Sequence, residues 1–135
     1  MRLLLDTNVL IAAFITRGVC AELLEHVVEK HEPVGSSYVL AEFHDKLVKK
    51  FAISRREATA AAHLLASRFA MVEPVELGER VCRDADDDPV LATAVAGHCA
   101  CLITGDRDLL SLKEFRGVVI LSPQQFWKFE AEGPP

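Results

Sequence analysis

The chain has 135 residues, of which half are apolar and 26% are charged; this composition fits one globular domain and excludes a disordered or collagen-like chain. The net charge is −5, whereas a protein that binds nucleic acid through its overall charge is usually basic. An anionic partner would therefore need a local basic patch or a bound metal ion.

Strand and helix patterns alternate along the chain. In chain order, strands are predicted at 2–5, 33–36, 71–72, 101–104 and 118–121, and helices at 8–15, 19–30, 38–50, 55–69, 88–97 and from 123 onward. Ser37 and Ser54 are the predicted N-caps of the helices that follow them. This alternation is typical of an α/β domain with a mainly parallel sheet and helices on both faces. Because the sequence has no repeat or linker, we expect residues 1–131 to form one domain and 132–135 a loose tail.

The cysteines lack the paired spacing of a zinc site. They are Cys20, Cys82, Cys99 and Cys101. We expect reduced, mostly buried thiols in a cytoplasmic protein, with no membrane segment, since no apolar run approaches the roughly 20 residues that cross a bilayer. Zinc binding by Cys99, Cys101 and His98 is disfavoured, because adjacent strand residues point to opposite faces.

Acidic residues recur where the predicted strands end. Asp6 follows the first strand, and Asp106 follows the strand at 101–104. An acidic run at 84–88 precedes the helix that begins at 88. Because the ligand crevice of an open α/β fold lies at the carboxyl ends of the strands, these side chains are candidates for one site.

Most of these acids also have a purely structural explanation. Asp is a good helix N-cap, and Asp6 and Asp88 each precede a predicted helix. Either Asp106 or Asp108 would cap the short segment that follows them. Capping does not account for Asp87, which would lie beside the positive end of a helix and could turn its carboxylate toward the crevice.

Periodicity does not single out Glu42. The helix at 38–50 has one apolar stripe, at Leu40, Phe43, Leu47 and Phe51. Glu42 falls roughly opposite this stripe, so its position on the helix predicts an ordinary solvated side chain.

Carboxylates that converge on one crevice repel one another and tend to take up protons. A hard divalent cation such as Mg²⁺ or Mn²⁺ relieves this repulsion, because it prefers oxygen ligands. Such a cation lowers the pKa of bound water and also bridges an acidic protein to an anionic phosphodiester. The chemistry that fits is metal-assisted phosphodiester hydrolysis.

Four segments resemble, in order, the motifs of the PIN-domain nucleases. Residues 4–10 (LLDTNVL) are similar to the opening motif, and residues 36–43 (SSYVLAEF) to the segment that carries a helical acid. Residues 82–92 (CRDADDDPVLA) resemble the third motif and residues 102–110 (LITGDRDLL) the fourth. The branch most resembled is the VapC-like toxin components of toxin–antitoxin systems.

The resemblance implies a Mg²⁺- or Mn²⁺-dependent ribonuclease with a three-layer α/β/α fold around a small, mainly parallel sheet. Its catalytic, metal-binding acids would be Asp6, Glu42, Asp87 and Asp106. Asp88 is the alternative third ligand, in the register where the acid begins the helix, and Asp108 would serve as an outer ligand. Hydrogen bonds to the ligands would come from Thr7, Asn8 and Thr104.

Partners follow from the same resemblance. A homodimer is expected, and toxin members of the family are neutralised by a small antitoxin that inserts into the active-site groove. Contacts to RNA would come from a basic cluster around a turn between two helices and from one arginine in the fourth motif. These residues are Lys46, Lys49, Lys50, Arg55, Arg56 and Arg107. An ordinary solvated helix pair is the alternative explanation of the basic cluster.

Two other functions compete with the nuclease. A phosphoacceptor receiver domain normally has an acidic pair after strand one and an acceptor Asp after strand three. This chain has the single Asp6 at the first place and Glu73-Pro74-Val75 at the second. The other alternative is a PIN-like module that binds RNA or protein without catalysis, and the acid present in each of the four motifs argues against it.

Overall fold

The structure, a computed structural model, describes residues 1–82 and 85–132, apart from the side chain of Asp86. The expectations for Asp84 and for tail residues 133–135 lie outside the described residues. Within the described residues the strands are β1 (Arg2–Leu5), β2 (Glu32–Gly35), β3 (Ala70–Met71), β4 (Cys101–Ile103), β5 (Glu114–Phe115) and β6 (Val118–Leu121). The helices are α1 (Thr7–Ile15), α2 (Val19–Lys30), α3 (Ser37–Phe51), α4 (Arg55–Arg68), α5 (Asp88–Ala96), α6 (Arg107–Leu112) and α7 (Pro123–Glu132), with a 3₁₀ turn at Ala85–Asp87.

The strands form one sheet in the order β3-β2-β1-β4-β6-β5. Every neighbouring pair is parallel except β5 and β6, which confirms the predicted mainly parallel sheet. The sequence pattern did not predict the two-residue strand β5. Because β1, β2 and β4 run in the same direction, the residues that follow them meet at one edge of the sheet.

Helices cover both faces of the sheet. Leu3 and Leu5 of β1 pack into a core with α1, α2, α3, α4 and α7, whereas Leu4 packs on the other face with α5 and α6. All three leucines are buried, as a strand covered on both sides requires. The three-layer α/β/α architecture is therefore confirmed.

The predicted boundaries are shifted by one residue at several places. Ser36, rather than Ser37, is the N-cap of α3, because its hydroxyl accepts a 3.3 Å hydrogen bond from the backbone N–H of Val39. Ser37 is already the first helical residue, and β2 accordingly ends at Gly35. Ser54 caps α4 as predicted, accepting from the N–H of Glu57 at 3.1 Å.

No single helix in the described residues is long and apolar enough to span a membrane. Helices α1 and α2 would reach that length and composition only together, and they are bent by 108° where they meet.

Candidate active site

Asp6 lies directly after β1 and is the N-cap of α1. Its backbone N–H donates to the carbonyl of Ile103 in β4 at 2.9 Å, so the sheet hydrogen bonding continues to this residue. Carboxylate oxygen Oδ1 accepts from the N–H of Thr7 at 2.7 Å. The residue is only 5% exposed, so a charged group is held in a largely desolvated place.

Thr104 connects two of the predicted acids. Its fully buried hydroxyl donates to Oδ2 of Asp6 at 2.7 Å and accepts from the backbone N–H of Asp106 at 3.0 Å. This contact joins the end of β1 to the end of β4, two strands that are neighbours in the sheet. Thr104 therefore fixes where the Asp6 carboxylate points.

The carboxylates act on one another electrostatically. Burial raises the pKa of Asp6, and the hydrogen bonds from Thr104 and Thr7 counteract it only in part. The negative charges of Glu42 and Asp106 raise the pKa of Asp6 further. Three acids that are distant in sequence thus lie close together at the carboxyl edge of the sheet.

Glu42 faces this site from α3. Its side chain is 22% exposed, against 61% for Asp45 on the same helix. Lys46 Nζ lies 4.0 Å from Oε1 of Glu42 and donates to Oδ1 of Asn8 at 3.3 Å. The prediction of an ordinary solvated side chain, made from periodicity alone, is therefore wrong, because α3 turns this position toward α1 and the end of β1.

Of the two candidate caps of α6, Asp106 and Asp108, the structure has Asp106 as the N-cap. Its Oδ1 accepts from the N–H groups of Asp108 and Leu109 at 2.8 and 3.2 Å. Asp108 and Arg107 are exposed in the first turn of the helix. Capping and a role in the site are compatible for Asp106, since capping engages only Oδ1 among its oxygens.

Asp88 does not cap α5, contrary to the prediction. It is the first helical residue, Asp87 holds the N-cap position, and the Asp88 carboxylate accepts from the N–H groups of Val81 and Cys82 at 3.1 and 2.7 Å. The reason is the preceding loop, which folds back over the start of α5 and presents these two donors. Asp88 is thereby engaged in holding the loop.

The charges of both Asp87 and Asp106 act on the buried thiol of Cys82. Burial is the largest cause that raises the pKa of Cys82 to about 12, followed by the hydrogen bond with Asp88 and then its charge. The charges of Asp87 and Asp106 act in the same direction. The loop acid and the acid after β4 therefore both lie near this thiol.

The predicted basic residues divide into three places. Lys46, Lys49 and Lys50 line a cavity of about 290 Å³ on α3 that also includes Glu42. Arg55 and Arg56 are exposed at the start of α4, and Arg107 is exposed next to Asp106. The lysines therefore adjoin Glu42 and Asp45, whereas the α4 arginines lie past the turn between α3 and α4.

The donor set fits a hard divalent cation. It consists of carboxylates, with no histidine or cysteine among the proposed ligands, and Mg²⁺ and Mn²⁺ take oxygen ligands of this kind. The hydroxyl oxygen of Thr7 is buried and has no hydrogen-bond partner in the described part of the chain. A buried hydroxyl that lacks a hydrogen-bond partner, next to the buried Asp6, is typical of a site where a bound water or ion supplies the missing interaction.

Sequence patterns did not identify the pair Ser36 and Thr93. Their hydroxyls lie 2.9 Å apart, both buried, and Thr93 donates to the carbonyl of Pro89 at 2.8 Å. Ser36 must then donate to Thr93, which ties the start of α3 to the helix that follows Asp87. A serine at a strand end signals a cap, but Thr93 sits in an apolar helix, where no local pattern marks it.

Comparisons with known proteins support the family and the fold. The sequence pattern of a family described as PIN domain matches residues 2–108. No curated protein sequence matches significantly.

Solved structures share the fold at low identity. A crystal structure of VapBC2 from Rickettsia felis bound to a DNA fragment from their promoter has a TM-score of 0.67 and 18% identity, covering 89% of this chain and 97% of that chain. VapBC-1 from nontypeable Haemophilus influenzae has a TM-score of 0.62 and 18% identity, covering 92% of this chain and 99% of that chain. Mycobacterium tuberculosis VapC20, described as a sarcin-ricin loop cleaving toxin, has a TM-score of 0.60 and 15% identity, covering 87% of this chain and 98% of that chain.

Proposed function

The chain belongs to the PIN domain family, and from this we propose that it is a Mg²⁺- or Mn²⁺-dependent endoribonuclease. The observation that carries the proposal is that Glu42 and Asp106 lie near enough to the buried Asp6 for their charges to raise its pKa. Asp87 is proposed to join them from the loop before α5, which is supported by the effect of its charge and that of Asp106 on the pKa of the Cys82 thiol. Such a group of acids is unfavourable by itself and suits a site that holds a cation.

The residues proposed to hold the metal are Asp6, Asp87 and Asp106, with Glu42 binding directly or through water. A divalent cation bound there supplies Lewis-acid activation of water and neutralises charge that develops on the phosphodiester. We propose that Asp88 holds the loop rather than the metal, because three hydrogen bonds engage its carboxylate, from the N–H of Val81 and from both the N–H and the thiol of Cys82. Asp108 remains the proposed outer ligand.

The protein's own groups hold the acids in place. Each oxygen of Asp6 accepts one hydrogen bond, from Thr7 or from Thr104. A carboxylate oxygen has two lone pairs, so each retains one that can bind a cation. Asp106 is oriented similarly by its capping bonds. Little reorganisation is then needed when a metal and an RNA phosphate arrive.

RNA binding is proposed for the positive surface beside these acids. Three lysines line one cavity with Glu42: Lys46, Lys49 and Lys50. Arg55 and Arg56 are exposed at the start of α4, and Arg107 is exposed next to Asp106 in the sequence. The net charge of −5 means that binding depends on this local surface, so its affinity should fall as salt rises.

We further propose that this ribonuclease is the toxin of a toxin–antitoxin pair, acts in the cytoplasm and forms a homodimer. The structural similarity to VapBC2 and VapBC-1 supports an antitoxin partner. The structural similarity to a sarcin-ricin loop cleaving toxin supports RNA as the substrate. An antitoxin segment would have to occupy the cavity beside Glu42 to block access.

The remaining alternative is a PIN-like module that binds RNA or protein without catalysis; a receiver domain does not apply to a member of this family. Catalysis separates the two. Purified protein with Mn²⁺ should cut single-stranded RNA, and EDTA should stop the reaction. Loss of a direct metal ligand should exceed the roughly 10–100-fold effect typical of an outer partner, so Asp6→Asn should lose at least about 100-fold in rate and Glu42→Gln at least about 10-fold.

A matched control comes from an exposed acid. Glu25→Gln, on α2 and away from the cavity beside Glu42, should cleave at the rate of the unmodified protein. Cleavage that persists in EDTA, or equal rates in Asp6→Asn and Glu25→Gln, would contradict the proposal.

A further inference from the structure

A second group of metal-ligating side chains lies at the opposite edge of the sheet from the acids. Nε2 of His26 lies 2.6 Å from Oε2 of Glu130, and Nε2 of His31 contacts the same oxygen. Ligand atoms of the three residues all lie within 4.8 Å of one another. His31 adjoins Met1, five residues before Asp6, so a strand rise of about 3.3 Å per residue places the two sites roughly 16 Å apart.

The end of α2 brings the two histidines together. On a continuous helix, residues five apart point about 140° away from each other. Helix α2 ends at Lys30, and His31 has an extended backbone with φ −133° and ψ −177°. This break redirects the His31 ring to the side of His26, where α7 supplies Glu130.

Neighbouring aromatic rings hold the imidazoles in place. The His26 ring packs on Trp127 at a centroid distance of 4.7 Å, and the His31 ring packs edge-on against Phe126 at 5.9 Å. The side chains of His26, His31 and Glu130 are 27%, 11% and 26% exposed. The cluster is thus oriented by packing and still open to solvent on one side.

We propose that His26 Nε2, His31 Nε2 and the Glu130 carboxylate form a second metal site that binds Zn²⁺ and clamps α7 to α2. Two imidazoles and one carboxylate suit Zn²⁺, whereas Mg²⁺ and Mn²⁺ favour all-oxygen sets such as the acids at the other edge. Three protein ligands with a water in the fourth position form a tetrahedral zinc site. The open side of the cluster provides the place for that water.

The three side chains are held together by hydrogen bonds in the structure, and their distances allow a zinc ion to replace these bonds. Zinc bonds of about 2.0–2.2 Å place tetrahedral ligand atoms roughly 3.3 Å apart. The His26–Glu130 distance of 2.6 Å therefore needs to widen by less than about 1 Å, which small side-chain rotations supply. The proposal does not depend on the ribonuclease, because it uses none of the same residues.

Calorimetric titration of the full chain with Zn²⁺, in excess Mg²⁺ to occupy the acidic site, tests the proposal. We expect one equivalent of Zn²⁺ to bind. His26→Gln, His31→Gln and Glu130→Gln should each lower the affinity by more than about 100-fold, since loss of an outer partner alone costs about 10–100-fold. Glu130→Gln keeps an oxygen that accepts N–H hydrogen bonds, so circular dichroism should show an unchanged metal-free fold.

His63→Gln, an exposed histidine on α4, and Asp6→Asn are the controls, and both should bind Zn²⁺ normally. Hydrogen exchange gives a second measurement: Zn²⁺ should slow exchange of α7 amides in the unmodified protein and not in Glu130→Gln. Absence of Zn²⁺ binding, binding in the three cluster variants as tight as in the unmodified protein, or loss of binding in Asp6→Asn would overturn the proposal.

Discussion

The hydroxyl of Thr104 donates a 2.7 Å hydrogen bond to Oδ2 of Asp6, across the boundary between two parallel strands. The same hydroxyl accepts the backbone N–H of Asp106. One buried oxygen therefore sets the relative position of two acids that are a hundred residues apart in sequence.

Removing this hydroxyl should weaken metal binding without removing a ligand. Thr104→Val keeps the shape of the side chain, but Asp6 loses a donor and its pKa should rise further. We expect Mn²⁺ affinity to fall by roughly 10–100-fold, as for other outer partners of a metal ligand. Calorimetric titration measures it, and Thr104→Ser, which restores the hydroxyl, should recover most of the affinity. Unchanged binding in Thr104→Val would show that the bond is only structural.

Neutralising Asp6 should stabilise the protein when no metal is present. The pKa of Asp6 is raised by burial and by neighbouring acids, so its charged form at neutral pH disfavours folding. We expect a higher thermal midpoint for metal-free Asp6→Asn than for the unmodified protein. Mg²⁺ or Mn²⁺ should raise the midpoint of the unmodified protein and of Asp45→Asn, but not of Asp6→Asn. Equal metal-dependent increases in all three would count against the site.

The two neighbouring acids at the start of α5 should differ in their roles. Asp87→Asn should reduce the rate of RNA cleavage by at least about 100-fold, as expected when a direct ligand rather than an outer partner is lost, with little change in stability. Asp88→Asn should keep most of its activity, because its carboxylate holds the loop through Val81 and Cys82. Initial cleavage rates at saturating Mn²⁺ decide between them. The reverse pattern would assign the metal ligand to Asp88.

Asp88 should also contribute to stability in a pH-dependent way. Burial alone would raise its pKa, but hydrogen bonds from the thiol and N–H of Cys82 and from the N–H of Val81, together with the charge of Arg80, hold it below its usual 3.8. A lowered pKa gives stability that is present above pH 3.8 and is lost as pH falls through the folded-state value. Urea unfolding should show Asp88→Asn less stable by about 1 kcal/mol at pH 7. The difference should vanish at strongly acidic pH; a constant difference would refute the assignment.

The buried thiols should resist alkylation in the folded protein. Burial is the main cause that raises the pKa of Cys82, Cys99 and Cys101 to about 12. At pH 8 iodoacetamide should label the partly buried Cys20 first and the other three only after urea is added, as peptide mass spectrometry would show. Stability should fall as pH rises from about 9 toward about 12, because only the unfolded chain ionises these thiols there. Fast labelling of native Cys99 would contradict this burial.

Local sequence was sufficient for most of the fold. The apolar run at Leu3–Leu5 predicts a strand buried on both faces, and the order of strands and helices predicts the parallel sheet, both of which the structure confirms. Errors include one-residue shifts such as the cap at Ser36 instead of Ser37 and the missed two-residue strand β5. These features follow from interactions between residues close together in the chain, so a local pattern carries them. The assignment of the metal ligands, which the resemblance supplied, stays a prediction.

Contacts between distant segments needed the folded structure. Helical periodicity placed Glu42 in solvent, but the packing of α3 against α1 turns it toward Asp6. Nothing local distinguishes Asp87 from Asp88 until the loop before them supplies two N–H donors, and nothing predicts that His31 meets Glu130. The sequence by itself thus determined the elements, their order and the acids at the strand ends. Tertiary structure decided which side chains lie close together. That depends on how the sheet and helices bring together residues that are some forty to a hundred positions apart in sequence.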